Sequence, residues 1–173
     1  GPGLSDRGPP SSCVRCRAWS ADARHGRPDD GRPLTRRGIE RMKMAARGLT
    51  TLALPIERLV SSPAVRAMQT AEVVAPALER RQIEDEGVFA PDAPVEAAVE
   101  WLRKQPRVEG MAVVGHEPNL GELAECLIAG RPLGNMPMKK GGMTLIRFEN
   151  AIGPGEGKLV WALPPAVLRA LAD

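Results

Sequence analysis

Residues 111–115 read Met-Ala-Val-Val-Gly, an unbroken apolar run that stops at His116. A strand with one wet face alternates apolar and polar residues. A run that is apolar at every position suits a strand covered on both faces, as in a parallel sheet between two helical layers. The rest of the chain keeps that company. "IERLVSSP" (56–63) reads as a second short buried strand, with Ser62 placed to cap the next helix and Pro63 in its first turn. Apolar residues at helical spacing form four stripes. The first, after "PLTRRG", is Ile39, Met42, Ala45, Ala46 and Leu49. The second is Val65, Met68, Ala71, Val74, Ala75 and Leu78. A helix over 92–104 carries Val95, Ala98, Val99 and Leu102, and the segment after His116 carries Leu120, Leu123, Ala124, Leu127 and Ile128. "MTLIRFE" (143–149) and "KLVWAL" (158–163) read as the last strands, joined by "NAIGPGEG", and "PPAVLRAL" as a closing helix. Strands alternating with helices predict an α/β chain: a three-layer α/β/α sandwich with a mostly parallel central sheet. Ligands of such sheets bind beyond the carboxyl ends of the strands.

Composition narrows the function. The 173 residues suit one domain, expected over 14–173, after a Gly-, Pro- and Ser-rich leader at 1–13 expected to be disordered or non-native. A net charge of +3 is compatible with an anionic substrate and too mild to argue for nucleic acid. Aromatic residues make up 3%, with no tyrosine, which argues against a base-stacking platform. No stretch approaches the run of about 20 apolar residues that spans a bilayer, and the first residues lack the apolar centre of a signal peptide. Three cysteines argue for a reducing compartment, so a cytoplasmic, monomeric protein is expected. Cys13 and Cys16 form a C-x-x-C, but only Cys126 and two histidines remain as further ligands, so ordinary thiols are expected rather than a zinc or redox site.

Two residues stand where chemistry is expected. His116 follows a buried strand and precedes a helix, so it projects into the sheet-end crevice, where an imidazole can act as phosphate ligand, acid or base. Arg66 lies in the first turn of the helix after "SSP". It shares that space with backbone N–H groups and the positive end of the helix dipole, and its guanidinium fork matches phosphate oxygens.

Taken together, "PLTRRG", "LVSSPAVRAMQTAE" and "VVGHEPNL" resemble the histidine phosphatase, or phosphoglycerate mutase-like, superfamily. The short length and the ending "LVWALPPAVLRAL" are similar to its SixA-type phosphohistidine phosphatases. The resemblance covers about residues 14–173. It implies a metal- and cofactor-free hydrolase in which a histidine of an Arg-His motif, at the end of the first strand, attacks phosphorus. The resulting phosphohistidine is then hydrolysed by water. His116 matches the second histidine, Arg66 the second arginine and Arg15 the arginine of the first motif. Arg17, Ser62, Glu117 and Asn119 flank these positions and join the candidate phosphate ligands. The implied partner is a phosphohistidine protein or a small phosphate ester, not nucleic acid or membrane. A phosphate-binding module without turnover is the non-enzymatic alternative.

The first motif departs from the family pattern. "SSCVRCRAWS" holds Cys16 and Arg17 where one histidine belongs, and the proline-rich residues upstream cannot form a central strand. Three readings stay open. The literal Arg24-His25-Gly26 is the motif, although it lies too close to "PLT" and "WSADA" before it does not read as a buried strand. Cys16 replaces the histidine. Or the nucleophile is absent, a shift of reading frame near codons 14–17 accounting for so abrupt a loss. Asp22, Asp29 and Asp30 lie in the loop before "PLT". Glu86 is a possible acid by location, although "EDEG" reads as a wet turn.

Overall fold

The computed structural model describes residues 14–21, 31–80 and 82–173. Their strands are β1 (Val14–Ala21), β2 (Arg58–Ser61), β3 (Glu84–Asp85), β4 (Gly110–His116), β5 (Met143–Phe148) and β6 (Lys158–Leu163). The helices are α1 (Arg36–Thr51), α2 (Val65–Val74), α3 (Val95–Arg103), α4 (Asn119–Ala129) and α5 (Pro165–Ala170). The strands form one sheet in the order β3-β2-β4-β1-β5-β6. The β3–β2, β2–β4 and β4–β1 pairings are parallel, and the β1–β5 and β5–β6 pairings antiparallel. This is the expected mixed but mostly parallel sheet.

The burial of β4 explains its uniform composition. Met111 and Val113 belong to the core shared with α3 and α4, among Leu102, Leu120, Leu123 and Leu127. Ala112 and Val114 alternate into the opposite core, with Leu49 of α1, Ala67 and Ala71 of α2, and Leu168 of α5. Period-2 alternation thus feeds two cores, and the strand has no wet face. The same division makes three layers, with α1, α2 and α5 on one side and α3 and α4 on the other.

Local chemistry sets several boundaries. Thr35 caps α1, its Oγ1 accepting from the Gly38 N–H at 3.0 Å. Gly130 ends α4 in the left-handed conformation at φ 87°. Helix α3 begins at Val95 rather than Asp92, because Pro94 disfavours a helical residue before it. Helix α2 begins after Ala64, two residues later than expected, so Pro63 lies outside its first turn.

Two expectations for the strands change. "EDEG" contributes a strand: Glu84 and Asp85 pair with Val60 and Ser61 as the sheet edge. Bidentate donation from Arg58 to Glu84, at 2.9 and 2.8 Å, holds this short edge in place. The central strand also does not precede Cys16. It runs through Val14–Ala21 itself, parallel to β4 on one side and antiparallel to β5 on the other. Residues 1–13, with Cys13 and the expected leader, and residues 22–30, with Asp22, Arg24, His25, Asp29 and Asp30, lie outside the described residues.

The segment after α4 is fastened by one carboxylate. Glu125, only 3% exposed, accepts the backbone N–H groups of Leu133, Gly134, Asn135 and Met136. Those donors hold its carboxyl below the usual range, against the opposing effect of burial.

Two predictions follow from this packing. A Cβ on Gly48 would lie 1.8 Å from the Leu168 carbonyl oxygen, where α1 meets α5. Gly48→Ala should therefore cost about 1–3 kcal/mol of stability by urea unfolding, as overpacking against backbone does. Glu125 has a depressed folded-state pKa. Its contribution is present above the ordinary carboxylate pKa and is lost as pH falls through the depressed value. Urea midpoints measured from neutral pH into the acid range should fall less steeply for Glu125→Gln than for the parent chain.

Candidate active site

The rim formed by the carboxyl ends of β2 and β4 gathers the polar residues. His116 is the last residue of β4 and is 4% exposed. Its Nε2 lies 2.8 Å from Ser62 Oγ, which is fully buried just beyond β2. The Ser62 backbone N–H donates to the Val114 carbonyl at 2.8 Å, extending the β2–β4 ladder by one step. Ser62 Oγ also accepts the Ala64 N–H at 3.2 Å. The hydroxyl was expected to cap α2. It spans the β2–α2 turn instead and fixes the imidazole, while Ala64, the residue at the helix cap, offers no side-chain acceptor.

Arg66 enters this rim from the second position of α2 and is 9% exposed. Its Nε donates to the Arg32 carbonyl at 3.1 Å, and its own carbonyl accepts from Thr70 Oγ1 at 2.9 Å. Gln69, one turn on, accepts the Leu34 N–H at 2.6 Å. Two side chains of α2 therefore carry the 32–34 segment across the rim. The His116–Ser62 pair lies at the turn that opens α2, the helix that carries Arg66, and a helix start is a place where an oxyanion can be received.

Other candidates are placed differently. Glu117 accepts the N–H groups of Gly121 at 2.9 Å and Met138 at 3.2 Å. Burial pushes its carboxyl pKa up, and those two donors oppose the shift. Asn119 Nδ2 faces the carbonyls of Ala90, Pro91 and Ala93 at 3.1–3.3 Å. Both side chains brace loops around the rim. Glu86 was missed as part of a strand boundary. Its N–H donates to the Ser61 carbonyl at 2.9 Å, which sets it half-buried at the end of β2. Cys126 is a buried free thiol whose pKa burial raises, and it stands inside α4.

The register of β1 relocates the first motif. Ala21, not Arg15, pairs with His116. Arg15 pairs with Gly110 and Arg17 with Ala112. At about 3.3 Å per residue, Arg15 stands about 20 Å and Arg17 about 13 Å back along the strand from Ala21. The structure does not bring these arginines to His116. Cys16, opposite Met111, shares that remote end, which removes it as a replacement nucleophile. What leaves the sheet beside His116 is the chain beyond Ala21, and it contains Arg24-His25-Gly26. The objection that no buried strand precedes that triplet is overturned, because "VRCRAWSA" is the central strand.

Comparison with known proteins bears on this geometry. Residues 17–88 match the model of the histidine phosphatase superfamily (branch 1). An uncharacterized protein of Picosynechococcus is 34% identical over 130 residues, which are 74% of this chain and 79% of that protein. The structure of the protein histidine phosphatase SixA complexed with tungstate superposes with a TM-score of 0.72 at 25% identity, covering 90% of this chain and 99% of that one. A SixA structure from Nakamurella, described as a phosphohistidine phosphatase, superposes with a TM-score of 0.69 at 17% identity, covering 91% and 99%. The parallel β2–β4–β1 centre agrees with these matches, and the chain belongs to the histidine phosphatase superfamily, with the architecture of its SixA type.

Proposed function

We propose that the chain hydrolyses a phosphoryl group bound at the β2–β4 rim, with a phosphohistidine protein as substrate. The observation that carries this reading is the 2.8 Å His116–Ser62 contact at the turn that launches Arg66. An imidazole held by a buried hydroxyl and a guanidinium anchored through Nε form a preorganised site for charge on phosphoryl oxygens. The SixA structure was obtained with tungstate, a tetrahedral oxyanion, which supports an oxyanion at the equivalent rim.

The chain contains two histidines. With His116 as oxyanion ligand, a phosphohistidine mechanism has only His25 for its nucleophile. An imidazole nitrogen of His25 attacks phosphorus as the P–N bond to the substrate histidine breaks, and the departing imidazole takes up a proton. Water then attacks the His25 phosphoramidate, releasing inorganic phosphate and restoring the ring. Imidazole is both a capable nucleophile and a capable leaving group near neutral pH. His116 and Arg66 stabilise the equatorial oxygens in both steps, and neither step calls on a metal or cofactor. The cysteine usage fits a cytoplasmic setting. A small phosphate ester is the enzymatic alternative. A phosphate-binding module without turnover is the non-enzymatic alternative.

Phosphate release from a phosphohistidine peptide should fall at least about 100-fold in His116→Ala and in His25→Ala. Brief exposure to a ³²P-labelled phosphohistidine protein should leave an acid-labile label on the parent chain and none on His25→Ala. Turnover that survives both substitutions overturns the site. Vanadate binding with no turnover by the parent chain selects the binding module, and p-nitrophenyl phosphate hydrolysis alone selects the small ester.

A further inference from the structure

A cavity of 370 Å³ opens between α1 and α5. Arg37, Arg41, Lys140 and Arg169 line it, and among the described residues no carboxylate does. Arg37 and Arg41 are exposed and one turn apart on α1, whereas Arg169 comes from the last turn of α5. Among the described residues Arg37, Arg41 and Arg169 enter no ion pair. The first turn of α1 carries Arg36 and Arg37 and no acid. Cations there face the positive end of the helix dipole, so their placement works against the helix. Such a local conflict is expected where a surface serves binding rather than folding.

The cavity adjoins the catalytic rim. Met143, at the start of β5, pairs with Trp19, two residues from the Ala21–His116 pair. Lys140, just before β5, therefore belongs to the same end of the sheet. The 32–35 segment joins the two places: Arg32 receives Arg66, Leu34 donates to Gln69, and Thr35 caps α1 and lines the cavity.

We propose that this groove docks an acidic segment of the phosphorylated protein whose phosphoryl group enters beside His116. The proposal rests on the reading of the substrate as a protein. Four cations from three parts of the chain, three of them without an ion pair among the described residues, match a run of carboxylates, whose attraction raises the encounter rate and selects the partner. A nucleic acid would find no aromatic ring among the described lining residues on which to stack a base.

The test uses two peptides that differ only after one phosphohistidine, in four glutamates or four glutamines, with phosphoramidate as a small substrate. The parent chain should show a KM roughly tenfold lower for the glutamate peptide, as several weak exposed charge contacts together allow. The triple variant Arg37→Glu, Arg41→Glu and Arg169→Glu should erase that difference while kcat and phosphoramidate hydrolysis stay unchanged. Arg37→Glu places a carboxylate where the α1 dipole favours one, and a circular dichroism melt verifies the fold. Turnover of both peptides with equal KM overturns the docking groove and leaves the phosphatase standing. If neither peptide is hydrolysed, the phosphatase reading falls, and fluorescence anisotropy of the labelled, unphosphorylated glutamate peptide decides the groove. Binding that charge reversal weakens about tenfold supports it, and undetectable or unaltered binding overturns it. Tighter groove-dependent binding of a single-stranded RNA of equal length, at physiological salt, also overturns it.

Discussion

The burial of β4 on both faces is the constraint from which the site derives. Val113 and Val114 are at 0% exposure on opposite sides, and the strand carries that burial to its end at His116. An imidazole withdrawn from water needs a polar partner, or its ring nitrogens lose hydrogen bonds at a cost of about 1–3 kcal/mol. Ser62 provides one, and its hydroxyl sits there because its own N–H extends the ladder to Val114. Backbone pairing, side-chain orientation and the start of α2 are thus one connected arrangement. The orientation of His116 depends on sheet register as much as on its own neighbours.

Charge is divided in the same economical way. Glu125 is satisfied by four backbone donors and the half-buried Glu117 by two, and among the described residues neither acid draws an arginine or lysine into its contacts. Arg58 is the partly buried cation that does serve architecture, tying β2 to the β3 edge through Glu84 at the strands' far end. Arg66 stays at the rim, its Nε donating to the Arg32 carbonyl.

Much of this was legible in the sequence, for identifiable reasons. Met111 to Gly115 reveal β4 because burial on two faces leaves no room for polar alternation. Arg66 is recognisable because "SSP" marks a helix start. The two-residue strand at Glu84 was invisible, because an edge strand of that length has no periodicity and its charges suit an edge. The role of Ser62 was half legible: a hydroxyl at a helix start suggests a cap, and only the fold could show that His116 lies across from it. Glu117 and Asn119 illustrate the opposite error. Polar residues next to a catalytic position are as readily consumed by loop carbonyls and amides as by substrate.

Strand β1 was the hardest element to read, and it decides the chemistry. Two arginines within "VRCRAWSA" break the apolar run by which a central strand is recognised, so the strand was sought upstream of Cys16. Sheet topology overrides that local signal. A strand hydrogen-bonded between β4 and β5, and parallel to β4, must deliver its carboxyl end to the rim where His116 stands, whatever residues fill it. The residues that topology brings beside His116 are therefore those at and beyond Ala21, not those at 15–17. Of the two histidines in the chain, one ends β4 and the other follows that exit by four residues.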